Sequence, residues 1–477
     1  MPKLAQNRLL RPLVWVFVPL LAATAAMIEP LFGNGLPSLV QRPFGPETPP
    51  LPLLPMLMLI TILTVLAMRF IGRVASLATV AMFCLLAASQ LNGIGFGPLD
   101  TFDFALFGAF LCWAATLALD PTRPIRFGFL LSMALLIGVL ALAHLPVMRP
   151  RAWIIGMIGV IRISLIALLV VDLCRDQASL RRTINLFIIV AVVSAIIGIA
   201  QFFLALTGIW VFTFINPPES AFKPTPIGFV MRASALCITA QHFSSFLVYA
   251  LPFALWRLTT RPSLTATAAA VALLAGVVVS WNTGAIFAAA LVMLAFPFFR
   301  WPERTAALAV VLTAGLSIAY FSGFLQLIYD VTFGDSGVSK GIDQRKTLFA
   351  LGIDEIAANP FVGTGLAGFD TVDGNFWGRP VHNAFAQAAT ELGVLGLGTM
   401  IALFTVPMVY LSDHMFSADP SGLSRCAFLA ILAALLLAQS EPNLDQSNLW
   451  LLLALAQATI LSNRQDESRS QTTKNIC

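Results

Sequence analysis

The residues Pro380-Val381-His382-Asn383 and the run AFAQAATELGVLGLG that follows them, at 384–398, mark the sharpest change in the chain. Before them, from about Gly334, lies a polar segment with two adjacent cations and several carboxylates, and after them the sequence is predominantly apolar. A run of roughly 20 apolar residues is long enough to cross a bilayer as a helix. The junction therefore predicts a large loop outside the membrane that leads directly into a membrane-spanning helix.

Composition places the rest of the chain in a membrane as well. Of the 477 residues, 58% are hydrophobic and only 11% are charged, whereas soluble proteins carry roughly 25% charged residues. The expected fold class is all-α, a polytopic transmembrane bundle of about 12–14 spans with one large loop that contains short helices. Candidate spans begin near residues 12, 52, 74, 102, 126, 153, 181, 236, 264, 284, 305, 384, 422 and 446.

Basic residues in the loops predict the orientation. With the N-terminus in the cytoplasm, one side collects Lys3, Arg8, Arg11, Arg69, Arg73, Arg123, Arg126, Arg175, Arg181, Arg182, Arg257, Arg261, Arg300, Arg304, Arg425, Arg464, Arg469 and Lys474. The other side collects Arg42, Arg149, Arg151, Lys223 and Arg232. This bias predicts that both termini are cytoplasmic and that the large loop is not. The chain then divides into N-terminal spans (1–325), the large loop (326–383), C-terminal spans (384–463) and a polar tail (464–477) that is expected to be disordered.

The remaining composition excludes several classes of function. The net charge of +5 is modest and reflects the placement of loops, so it does not argue for a nucleic-acid partner. The six cysteines show no C-x-x-C spacing and are read as free thiols, which supports neither a disulfide framework nor a metal site. The chain has no Walker-type loop and no dinucleotide fingerprint, so no cofactor is expected.

The large loop carries the first group of candidate site residues. Arg345 and Lys346 stand near the start of a predicted helix at 344–358, which Asn359-Pro360 should end because a residue before proline disfavours the helical conformation. Asn383 is predicted to cap the next helix. His382 then lies where free backbone N–H groups favour an anion. The sequence leaves open whether His382 is a catalyst or only a well-paired polar residue.

A second group of candidates lies in the predicted spans. Arg232 is expected at the outer start of a span at 233–255, where a guanidinium binds a substrate phosphate or a lipid phosphate equally well. Gln241 and His242, two to three turns further in, would form a buried hydrogen-bonded pair or the wall of a polar cavity. Arg162 interrupts an apolar run, which indicates either an anion site within the bundle or a structural ion pair. Gln201 is a possible neighbour of Arg162.

The loop and the helix after it resemble the signature of the bacterial O-antigen ligase and polymerase superfamily. The likeness rests on Arg345 near the start of the loop helix, the turn Asn359-Pro360-Phe361-Val362-Gly363-Thr364-Gly365, the pair His382-Asn383, and Glu391 with Gly393, Gly396 and Leu397. It covers about fifty residues in detail, within a region of about 230–412. Two departures stand out: Trp281-Asn282-Thr283-Gly284 replaces a Ser-Arg-Gly triplet, and Gln241-His242 replaces Pro-Asn.

The resemblance implies a metal-independent glycosyltransferase in the bacterial inner membrane with a periplasmic site. Its donor would be an undecaprenyl-diphosphate-linked glycan and its acceptor a glycan or a lipid A core, in a bilayer of membrane lipids. His382 would take the acceptor proton, and Arg232, Arg345, Lys346 and Asn383 would bind the diphosphate. Glu391, about 13 Å further along the helix, is expected to hold a neighbouring span by hydrogen bonds.

The sequence leaves several alternatives open. A lipid-linked oligosaccharide flippase would be expected to show pseudo-symmetric halves and a charged central cavity. A small-anion transporter would use Arg162 and would not need the outer arginines or His382. Within the enzyme interpretation, the sequence does not choose between ligase and polymerase, and it does not predict the sugar, the linkage or the oligomeric state.

Overall fold

A computed structural model describes ten parts of the chain: residues 77–90, 95–96, 99–143, 150–207, 222–225, 228–304, 307, 338–413, 422–442 and 446–476. Within these residues the protein has twelve α-helices, two β-hairpins and two single-turn 3-10 helices. The first eight helices are α1 (Leu77–Ala88), α2 (Thr101–Leu119), α3 (Phe129–Ala143), α4 (Pro150–Leu173), α5 (Gln177–Leu206), α6 (Ala240–Thr260), α7 (Leu264–Val279) and α8 (Thr283–Arg300). The others are α9 (Val338–Ala358), α10 (Ala384–Asp413), α11 (Leu423–Ala438) and α12 (Ser447–Ile476).

The short elements lie between the helices. The strands are β1 (Gly95–Phe96), β2 (Leu99–Asp100), β3 (Phe222–Thr225) and β4 (Gly228–Met231). Each consecutive pair forms an antiparallel hairpin. The 3-10 helices are Pro302–Arg304 and Phe369–Thr371.

The all-α polytopic fold is confirmed, and the protein is a multi-pass membrane protein. Among the described residues, five segments are long and apolar enough to cross a bilayer: Thr101–Leu119, Gly156–Leu173, Gln177–Leu206, Thr283–Arg300 and Ala384–Asp413. Shorter apolar helices occur at Ala78–Ala88, Phe129–Leu142, Leu264–Val279 and Leu423–Ala438. The spans predicted near residues 12, 52 and 305 fall outside the described residues, apart from a few positions after Arg300.

Helix α6 lies at the centre of the bundle and packs against α5, α7, α8 and α11. It is buried on nearly every side from Phe243 to Leu255, as expected of a helix that is apolar all round. The hydroxyl of Thr239 caps its first turn by accepting a hydrogen bond from the backbone N–H of His242 (3.1 Å). The helix therefore begins seven residues later than the span predicted from 233.

Two further features differ from a regular bundle. Helix α10 is broken at Gly393, which has φ 68° and ψ −164°. The tail that was predicted to be disordered is instead helical, because α12 continues to Ile476. Within the described part of the large loop (338–383), the long helix α9 ends at Ala358 just before Asn359-Pro360, as predicted.

Candidate active site

Arg232 lies at the exit of the β3–β4 hairpin, not on a helix as predicted. Its Nε donates a hydrogen bond to the backbone oxygen of Ser280 (3.3 Å), and the N–H of the next residue, Ala233, binds the backbone oxygen of Val279 (3.0 Å). The hairpin exit is therefore fixed to the end of α7. Gln201 supports the same segment, because its side-chain amide makes two 2.8 Å hydrogen bonds to the backbone of Ala235.

A buried carboxylate, Glu441, lies between α11 and α12 and was not singled out in the sequence. Its Oε1 accepts a hydrogen bond from Nδ2 of Asn282 (2.7 Å), and its Oε2 accepts one from the hydroxyl of Ser245 (3.1 Å). Burial holds the pKa of Glu441 above its usual range, although these two hydrogen bonds and the charges of Arg232 and Arg345 oppose the shift. Two arginines from separate parts of the chain thus act on one buried acid.

The electrostatic balance at this point favours an added anion. Burial lowers the pKa of Arg232, the carboxylate of Glu441 raises it, and the charge of Arg345 lowers it again. The charges of Arg232 and Arg345 therefore oppose one another, and Glu441, whose charged form is disfavoured by burial, offsets them only in part. An anionic group of a ligand would supply the missing negative charge, and guanidinium is well suited to phosphate oxygens.

His382 lies beside these cations at the start of α10. Burial, and then the charges of Arg345 and Arg379, lower its pKa to about 4. The imidazole is therefore neutral at physiological pH and able to accept a proton. Its Nδ1 is buried and has no hydrogen-bond partner among the described residues, so the structure leaves a ring nitrogen to be satisfied.

Asn383 caps α10, as predicted. Its Oδ1 accepts hydrogen bonds from the backbone N–H groups of Phe385 (2.9 Å) and Ala386 (3.0 Å). Its Nδ2 donates to the backbone oxygen (3.3 Å) and the side-chain oxygen (3.4 Å) of Gln439. Since Gln439 is two residues before Glu441, one side chain joins the His382 end of α10 to the segment that carries the buried acid.

A small separate core supports the loop side of the site. It consists of Leu348, Phe369 and Val381, all fully or almost fully buried. Leu348 lies one helical turn after Arg345, and Val381 directly precedes His382. Packing in this core therefore fixes α9 against the approach to α10. Lys346 is exposed on α9, next to Arg345.

The glycine turn and the break in α10 form one structural unit, which we term the loop clamp (residues 360–367 against 387–394). The backbone N–H groups of Thr364 and Gly365 donate to the backbone oxygens of Thr390 and Glu391, each at 2.8 Å. In the other direction, the N–H of Val394 donates to the oxygen of Pro360 (2.8 Å). The turn thus takes up backbone groups that the broken helix cannot pair internally.

Glu391 belongs to the clamp. Its Oε2 accepts a hydrogen bond from the N–H of Ala367 in the loop (3.0 Å), and its Oε1 accepts one from Nε2 of Gln387 on its own helix (3.1 Å). That it also holds a neighbouring span stays a prediction. The side chain is buried. These contacts give Glu391 a positioning role between loop and membrane helix.

Gln241 and His242 lie in the first turn of α6, closer to its start than predicted. The backbone oxygen of Gln241 accepts a hydrogen bond from the hydroxyl of Ser245 (2.8 Å), and that of His242 accepts one from Nδ2 of Asn448 (3.1 Å). These contacts make Gln241 and His242 part of the frame around Glu441. The side chains of Ser245 and Asn282 donate the hydrogen bonds to the Glu441 carboxylate.

Arg162 is placed in the structural role that the sequence left open. Its Nε and Nη2 donate to the two carboxylate oxygens of Asp103 on α2, at 2.8 and 2.7 Å. The guanidinium also lies 6.0 Å from the ring centroid of Phe102. The side-chain amide of Gln201, the neighbour considered for Arg162, binds the segment after Arg232. This two-point ion pair joins α4 to α2.

A comparison with models of protein families and with curated proteins finds no match to this chain. Within the described residues, no group of three or more His, Cys, Asp or Glu side chains is arranged to hold a metal ion.

Proposed function

We propose that the protein is a membrane glycosyltransferase of the O-antigen ligase and polymerase type, which moves a glycan from a polyprenyl diphosphate to an acceptor hydroxyl. The observation that carries this proposal is the grouping of a neutral His382 with Arg345, Arg232 and the buried Glu441. A base that is uncharged at physiological pH, beside cations with unbalanced charge, suits a reaction that releases a diphosphate and a proton together.

The donor would bind through its diphosphate. Arg232 and Arg345 would meet the phosphate oxygens, near the buried Glu441, whose pKa both charges affect. The N-terminal end of α10, capped by Asn383, adds the favourable end of a helix dipole. Lys346 would add a cation on the exposed face of α9.

In the transfer step, the acceptor oxygen forms a bond to the anomeric carbon while the bond from that carbon to the diphosphate oxygen breaks. The diphosphate leaves with the electron pair of the broken bond, and the two arginines stabilise its growing charge. His382 accepts the hydroxyl proton of the acceptor. Such general-base help contributes on the order of a hundred- to ten-thousand-fold in rate.

The same proposal covers location and partners. The distribution of basic loop residues supports an inner-membrane protein with both termini in the cytoplasm and the site in the periplasm. The partners would be an undecaprenyl-diphosphate-linked glycan, a glycan or lipid A core acceptor, and membrane lipids. The ion pair of Arg162 with Asp103 weighs against a small-anion transporter, since such a protein would need Arg162 for its ligand.

The test is genetic complementation with a measured product. The gene is deleted, the surface polysaccharide is profiled on a gel, and wild type, His382→Ala and Arg345→Ala are supplied in trans at matched membrane levels. Arg304→Ala is the charge control, because its side chain is 70% exposed and takes no part in the site. Both site variants should fail to restore the product, and the control should restore it.

The pattern also distinguishes the two acceptors. Core lipopolysaccharide without long chains, with polymer accumulating on its carrier, indicates a ligase. Chains reduced to a single repeat, or loss of a secreted polymer over intact lipopolysaccharide, indicate a polymerase. Full restoration by His382→Ala would refute the role of this histidine, and an unchanged profile in the deletion strain would refute the proposed function.

A further inference from the structure

Two aromatic side chains are displayed on a tight turn just before His382. Phe376 is 91% exposed and Trp377 is 42% exposed. The turn is well defined, because the side chain of the buried Asn375 donates to the backbone oxygens of Phe369 and Arg379, both at 2.9 Å. Two adjacent large aromatic groups exposed on an ordered turn form a candidate interaction surface.

The turn is connected to the candidate site through packed residues. Phe369, which accepts the hydrogen bond from Asn375, belongs to the small core with Leu348 and Val381. Those two residues position α9 and the approach to α10. The aromatic pair is therefore held on the same packed unit as Arg345 and His382, and its position relative to them is set by the fold.

The surroundings of the pair are polar. Asp373 and Arg379 flank it and are both exposed, and Arg379 is close enough for its charge to act on His382. Exposed charges on both sides of the turn favour contact with water over burial among lipid chains. A pyranose suits this surface, since its C–H face packs on an aromatic ring and its hydroxyl groups bond to charged side chains.

We propose that Phe376 and Trp377 form a sugar-binding subsite, which holds a pyranose ring of the glycan that reacts at His382. This inference rests on the proposed function and adds to it the residues that recognise the carbohydrate. The arginine group would bind the diphosphate, and the aromatic turn would bind sugar.

Two probes separate these parts on the purified full-length protein in lipid nanodiscs. One is an oligosaccharide of one to three repeat units released from the surface polysaccharide of the producing cell, and the other is undecaprenyl diphosphate without glycan. The variants are Trp377→Ala, Trp377→Phe and Trp377→Leu. Phe287→Ala is the control, because Phe287 is an exposed aromatic residue (66%) on α8.

Trp377→Ala should raise the Kd for the oligosaccharide about tenfold, as expected for loss of one well-packed aromatic contact. The Kd for undecaprenyl diphosphate should stay within twofold. Trp377→Phe should retain most of the affinity because it keeps a flat ring, whereas Trp377→Leu should be as weak as Trp377→Ala. Phe287→Ala should bind both probes like wild type.

Three results would overturn the subsite. The first is a Kd for the oligosaccharide that Trp377→Ala leaves unchanged. The second is the same Kd in Trp377→Leu and Trp377→Phe, which would indicate a lipid contact. The third is a Kd that Phe287→Ala raises as much as Trp377→Ala does. If wild type binds undecaprenyl diphosphate but the aromatic variants change nothing, only the subsite fails. If wild type binds neither probe, the proposed function fails with it.

Discussion

The loop clamp makes a strong prediction at Gly393, where α10 is broken. At φ 68° and ψ −164° the backbone is in a region that is nearly restricted to glycine, and forcing another residue into it costs about 1–3 kcal/mol. A Cβ at this position would also lie 2.3 Å from the carbonyl carbon and 2.4 Å from the oxygen of Phe361. Because these are backbone atoms, the clash cannot be relieved by turning a side chain.

Gly393→Ala should therefore release the clamp. Relief of the clash requires the turn to move away from α10. This movement breaks the three hydrogen bonds between the turn and α10 that Thr364, Gly365 and Val394 donate. At about 1 kcal/mol each, release of the turn costs about 3 kcal/mol in these bonds. Keeping the turn docked costs about 1–3 kcal/mol of backbone strain and, in addition, the overlap of the Cβ with backbone atoms at 2.3–2.4 Å. Because that overlap adds to the strain, the released state should dominate.

The assay is hydrogen exchange in nanodiscs, read by mass spectrometry, together with transferase activity. Residues 360–368 should lose protection and activity should fall at least a hundredfold, while α6 stays protected. Gly398→Ala is the matched control, because a Cβ there has no neighbouring atom within 4 Å. Protection and activity in Gly393→Ala equal to those of Gly398→Ala would refute the account of the clamp.

Three further predictions concern charge. Because burial, Arg345 and Arg379 lower the pKa of His382 to about 4, kcat/KM should stay level down to about pH 5 and fall below pH 4. Arg379→Gln removes a cation and therefore raises this pKa, so the acid limb of the pH profile should shift to higher pH. Glu441→Gln keeps the volume of the side chain but removes the negative charge available near Arg232 and Arg345, so added pyrophosphate should raise Tm more than it does in wild type; an equal rise would count against a charge role for Glu441. At the Arg162–Asp103 pair, Arg162→Met should lower the free energy of unfolding by about 3–5 kcal/mol. The double variant with Asp103→Leu should lower it by less, because no buried charge remains unpaired. An equal loss in the single and double variants would refute the pairing.

Local patterns in the sequence were sufficient for the helix ends. Asn383 was predicted as a cap and the end of α9 was predicted at Asn359-Pro360, since both depend on neighbours within four residues. Arg232 was misplaced because the apolar run after it looks continuous. The hydroxyl of Thr239, which caps α6, was the local signal for the true start of that helix.

The carboxylate at the centre of the site could not be predicted in the same way. Ser245, Asn282 and Glu441 are joined across 159–196 residues of chain, and only the packing of α6, α8 and α11 brings them together. Glu441 did carry a weak signal, as an acid between two apolar runs. Its partners carried none, because a serine and an asparagine near helix ends are ordinary caps.

The ion pair between α2 and α4 also has a consequence for how the protein is made. Asp103 and Arg162 are separated by 59 residues, so the ribosome adds the arginine roughly 3–12 s after the aspartate at ordinary rates of synthesis. During that interval α2 carries a carboxylate without its cation. Helix α2, which is made before α4, must therefore stay at the insertion machinery or keep its charged end at the bilayer surface. It enters the bundle fully only when α4 follows.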